Sequence, residues 1–153
     1  MATIFNESTV ALKPAGNGAA RQQLLTIARV PGSGILLDRL TLDRGGEARL
    51  AVPATSVAWI QPLDGQALLS HDDSRQTLTD AHVAFLPPGF SAALSAASGA
   101  TLLYGEIPDA GRFDAGFKQS PPPFRLADWT REPVLDSEHD ARKRIYLVTP
   151  KLF

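Results

Sequence analysis

The stretch AHVAFLPPGFSAALSAASG, Ala81–Gly99, decides the fold. A short apolar run, His82–Leu86, enters Pro87-Pro88-Gly89, and a second run, Ala92–Ala96, leaves it. Proline presets one turn position and glycine tolerates the left-handed conformation of the next, so this is strand, corner, strand. Each run is too short for a stable helix, and each is bounded by turn residues.

The same unit recurs on both sides. Gln23–Val30 ends at Pro31-Gly32-Ser33-Gly34, and Ile35–Leu42 ends at Asp43-Arg44-Gly45-Gly46. Ala48–Val52 stops at Pro53, and Ser56–Leu63 stops at Asp64-Gly65, a hairpin dipeptide. Three more runs follow: QALLS before His71-Asp72-Asp73-Ser74, RQTL before Thr79-Asp80, and TLLYGEI before Pro108. Many short strands at even spacing predict an all-β antiparallel sandwich or barrel.

Beyond Pro108 the character changes. Pro121-Pro122-Pro123 favours a stiff extended form, and Phe113, Phe117, Phe124 and Trp129 are spaced along an arm that lays them on something. A final strand is expected from about Arg144 to Thr149. The expected organisation is a single domain over residues 1–153, with a barrel core over about 20–108 and the arm and strand over about 109–153.

Composition removes several functions. Fifteen Lys and Arg face sixteen Asp and Glu, so there is no general attraction for nucleic acid or anionic membrane. The basic run Arg142–Arg144 follows the acidic DSEHD and reads as a solvated face. The absence of cysteine excludes disulfides, thiolate metal sites and a cysteine nucleophile. The N-terminal residues carry no signal-peptide pattern, and no run approaches a membrane span, so a soluble cytoplasmic protein is expected.

From about Ile35 to Ile107 the sequence resembles a cupin, the small double-stranded β-helix or jelly-roll barrel of the RmlC-like superfamily. Counting the family's first motif from Gly46 places its metal-ligand positions at Val52, Ala54 and Ala58 and its closing glycine at Gly65. The second motif matches Pro87 and Gly89, has Ala81 for its opening glycine, and puts Ala92 where the last histidine belongs. The turn residues are kept and every ligand is replaced by hydrocarbon without a lone pair to donate. The resemblance therefore implies a degenerate cupin with no metal and no cofactor. It also implies kinship with the silent N-terminal half of a bicupin. The last strand must pair with its own barrel or with a partner's sheet edge, so a homodimer formed through this segment is expected.

No catalytic residue is assigned. His71 reads as a hairpin tip in solvent, although His-Asp-Asp is also a cation-binding combination; His82 reads as a surface strand start, and His139 as a charged loop or short helical start. No two histidines have ligand spacing, and no Gly-x-Ser-x-Gly elbow selects a serine. Trp59 and Gln61 alternate with Ala58 and Ile60, which points them away from the interior. The polar candidates for a small-molecule pocket are Tyr104 and Glu106, which share a strand face. Facing inward they would hydrogen-bond a ligand, with Glu106 available as a base; facing outward they are surface groups. Phe85 and Phe90 flank the corner and complete the candidate pocket, with core packing as their other reading. The expected function is a non-catalytic module that binds a small molecule or serves a structural, dimerising role. The alternative is an enzyme: a metal-independent isomerase or lyase, or half of a dioxygenase-type bicupin.

Overall fold

The computed structural model describes residue 4, residues 6–136 and residues 143–145. Its strands are β1 Leu12–Leu25, β2 Leu36–Ala51, β3 Val57–Gly65, β4 Ala67–His71, β5 Ser74–Leu78, β6 His82–Leu86, β7 Ser91–Ala96, β8 Ala100–Ile107 and β9 Arg125–Asp128. A short ribbon of β10 Val134–Asp136 and β11 Lys143–Ile145 follows. The nine-stranded sheet runs β5-β4-β7-β2-β8-β3-β6-β9, with β1 on the other edge of β2, and every pairing is antiparallel.

Two long strands turn this one sheet into two layers. β2 is continuous across Asp43–Gly46, where the sequence pattern predicts a turn between two strands. β7 and β8 continue each other along it: Gly46 faces Ala96 and Leu42 faces Ala100 in unbroken register. The sheet folds over where these strands bend, and glycines line the crease. A Cβ on Gly65 would lie 2.4 Å from the Gly99 carbonyl oxygen, and one on Gly46 would lie 2.4 Å from that of Gly18. Only a residue without a side chain permits such backbone approach.

The first strand also departs from expectation. The pairing segment is Leu12–Leu25, not Gln23–Val30, so the barrel begins well before residue 20. The strand's first half, LKPAGNG, is rich in proline and glycine and forms an edge strand whose register shifts between Asn17 and Ala19. Edge strands tolerate both residues because one side of the backbone need not pair. Buried Gln22 donates to the carbonyls of Glu7 and Val10 and ties the preceding segment down.

The core follows from the period-two pattern. Leu40, Leu42, Ala48, Leu50 and Val52 of β2 and its end face inward, with Ala58 and Ile60, Leu69, Leu86, Leu94 and Leu102 from its neighbours. The Pro-Pro-Gly corner is a turn closed by the Phe90 amide donating to the Pro87 carbonyl, with Gly89 at φ 72°. It docks on the end of β2, where the Val52 amide donates to the Phe90 carbonyl at 2.9 Å. The corner thus serves packing and pairing.

The arm supplies β9, which extends the sheet beside β6. Phe117 is buried, Phe124 stacks on Phe90, and the Trp129 indole donates to the Asp80 carbonyl, while Phe113 stays exposed. Of the expected final strand only Lys143–Ile145 is seen, paired with Val134–Asp136. The remainder of that strand, and His139, lie outside the described residues.

Candidate functional site

The residues at the motif's ligand positions behave as core. Val52, Ala58 and Ala92 are buried in the main apolar cluster beside Leu86 and Phe90. Ala54 is exposed in the turn after β2 and does not join them. A metal ion needs donor atoms, and these side chains offer none. Among the described residues no group of three or more His, Asp or Glu side chains converges as a metal site. The residues present therefore do not fit the ion that the fold's motif would hold.

A different part of the interior is polar. Tyr104 faces inward and is 4 % exposed, so it belongs to the core and not to the surface. It lies directly opposite Asp38 on β2 and Ile60 on β3. Two residues along the same face, Glu106 is opposite Ala58 and Leu36. The Tyr104 hydroxyl donates to Glu106 Oε2 at 3.3 Å. Arg21 reaches in from β1: its Nε is 3.3 Å from Asp38 Oδ2, and its guanidinium lies 5.4 Å from the Tyr104 ring centre, a cation–π contact. Lys13 donates to Gln23, the residue paired with Asp38, and closes the β1 side.

Burial sets the electrostatics of this strip. It raises the Asp38 carboxyl above its ordinary range; Arg21 opposes the shift, Glu106 adds to it, and Lys13 opposes it weakly. The Tyr104 phenol is pushed far above its usual value, first by burial, then by the Glu106 charge and the hydrogen bond to it. The phenol is thus a fixed donor at any physiological pH. Two acids, one guanidinium and one hydroxyl put both hydrogen-bond donors and acceptors on this strip.

The other candidate residues separate. Phe90 is buried at the corner, between the His71 ring at 4.2 Å and the Phe124 ring at 5.4 Å. Phe85 stands on the opposite face from Tyr104, paired with Trp59 and lining an apolar groove of about 350 Å³ with Pro122 and Pro123. The period of two puts it there, since Ala84 and Leu86 are the inward residues of β6. Trp59 points outward as expected and lies across Gly105, where an added Cβ would collide with its ring. His71 is only part-exposed: Nδ1 is 2.6 Å from the Ser91 carbonyl, and Nε2 is 3.2 Å from Asp72. His82 accepts the Thr79 amide at Nδ1.

Arg21 and Asp38 were not legible as site residues. Arg21 lies on the strand hidden by prolines and glycines. Asp38 did leave a signal, being the one acid on the face shared by Leu36, Leu40 and Leu42.

The architecture decides the fold. This chain has a cupin-like barrel fold. It superposes with a TM-score of 0.69 on the putative glyoxylate-induced protein of Pseudomonas aeruginosa, at 11 % identity, covering 86 % of this chain and 49 % of that one. Protein YlbA of E. coli gives 0.66 at 10 % identity, over 86 % of this chain and 53 % of that one. An RmlC-like cupin from Shewanella frigidimarina gives 0.58 at 17 % identity, over 74 % of this chain and 96 % of that one. The cupin barrel described here thus spans about half the length of the first two and nearly all of the third. No protein-family model and no curated protein matches the sequence. Among the described residues no helix is long and apolar enough to cross a membrane.

Proposed function

We propose that this cupin module works without a metal and holds a small polar molecule against Arg21, Asp38, Tyr104 and Glu106. The observation that carries the reading is the inward, buried Tyr104, joined to Glu106 on one side and to the Arg21–Asp38 pair on the other. Buried polar groups are costly unless matched, so a strip of four on an otherwise apolar wall is where a ligand gains specificity. The module is non-catalytic and pairs as a homodimer.

Two measurements test this reading. Metal analysis by mass spectrometry on untagged protein is expected to find far less than one equivalent of iron, manganese, nickel or zinc. Stoichiometric metal would overturn it. Sedimentation at micromolar concentration is expected to give a dimer, and a monomer would remove that part of the proposal.

The Tyr104–Glu106 contact favours one alternative, a metal-independent isomerase or lyase with Glu106 as the base. A turnover lost in Glu106→Gln while ligand binding persists would select it.

A further inference from the structure

We infer that the outer face of the β2-β7-β4-β5 layer binds an oxyanion, a phosphate or carboxylate group, between Arg49 and Arg75. The register places Arg49 opposite Ala93, Ala93 opposite Ser70, and Ser70 opposite Arg75. These four form one row across four strands, with a guanidinium at each end and two small side chains between. Three interstrand steps of roughly 4.8 Å put the arginine backbones about 14 Å apart. Each side chain spans close to half that distance, so both can lean inward onto one anion above Ala93 and Ser70.

The surroundings support a ligand rather than a solvated pair. The row forms the floor of a groove of about 630 Å³. Arg21, Arg39, Arg125 and Arg131 each have a carboxylate partner. Arg49 and Arg75 have no ion-pair or hydrogen-bond partner among the described residues. The Ser70 hydroxyl in the middle of the row can donate to the same anion. Glu47, opposite Ser95 in the next row, is the only acid lining the groove. Its repulsion confines the anion to the Arg49–Arg75 row and offers an acceptor to any hydroxyl carried beside it. Charge-assisted bonds from two guanidinium groups suit a planar or tetrahedral oxyanion far better than chloride.

Titration of ¹⁵N-labelled protein with sodium phosphate, against sodium chloride at equal ionic strength, tests the assignment. Saturable shifts at the amides of Arg49, Ser70, Arg75 and Ala93 are expected with phosphate and not with chloride. Arg49→Gln and Arg75→Gln should each weaken binding about tenfold, while Arg44→Gln, outside the groove, leaves it unchanged. The same series with succinate identifies whether phosphate or carboxylate is the preferred group. Shifts that fail to saturate with either anion, or that persist in the double variant, would overturn the proposal. Unchanged spectra away from the groove establish that each variant is folded.

Discussion

The two sides of the barrel interior are built from one alternating pattern and do opposite things. On one side Val52, Ala58, Leu86, Phe90 and Ala92 meet as hydrocarbon, at the place where the motif would gather an ion. On the other, Arg21, Asp38, Tyr104 and Glu106 meet as charge and hydrogen bond, one strand away. Ala58 and Glu106 are direct cross-strand partners, so the boundary between the two is a single pair of residues. The backbone is indifferent to which chemistry it presents; only the side chains at inward positions decide. The same barrel wall can therefore carry hydrocarbon at the motif's ligand positions and polar groups beside them.

If the hydrocarbon side carries the stability, Leu50→Ala should be the most costly change. Leu50 is 1 % exposed, and its truncation is expected to lower unfolding free energy by about 3 kcal/mol in a denaturant titration. A loss under about 1 kcal/mol would show that this wall is loosely packed.

The polar side should respond to single and paired changes differently. Arg21→Met strands the buried Asp38 carboxylate and is expected to cost about 2 kcal/mol, below the cost for a fully enclosed pair because the Arg21 side chain is 35 % exposed. Adding Asp38→Leu should restore most of that loss. Additive losses in the double variant would mean that the two side chains are not coupled.

The smallest stability effect belongs to Tyr104→Phe, about 1 kcal/mol or less, since it removes one hydrogen bond and keeps the ring. Its signature is optical. The chain has two tyrosines, and one should resist ionisation in an alkaline ultraviolet titration until the protein unfolds. That resistant step should vanish in the variant.

The pH dependence gives a change of sign to look for. The folded state raises the Asp38 pKa, so it binds that proton more tightly than the unfolded chain, whose carboxyl titrates near pH ~4. The resulting stability is fully present below that pH and is lost as pH rises through the folded value. Wild type should therefore lose stability relative to Asp38→Asn as pH is raised from about 4. A gain over the same interval would mean that the Arg21 attraction outweighs burial.

Much of the barrel was legible because short apolar runs and Gly/Pro turns are local signals. The corner at Pro87–Gly89 and the strands on either side of it need no long-range information. Two errors share a cause. Asp43–Gly46 looks like a turn and is a bend inside β2, and the first strand is expected at Gln23–Val30 and runs over Leu12–Leu25. In both, pairing with a distant strand overrides the local preference of glycine. The site was half legible for the same reason. Tyr104 and Glu106 share a face by parity, but which face turns inward depends on the whole sheet. Arg21 joins them only through the register of β1 with β2.

The shared long strands have a mechanical consequence. β2 runs through both layers without ending between them, pairing with β7 in one and with β8 in the other. The layers cannot swing apart like the leaves of a hinge without tearing hydrogen bonds along a strand they own in common. The seam between the layers is therefore closed by backbone pairing and not by side-chain packing alone.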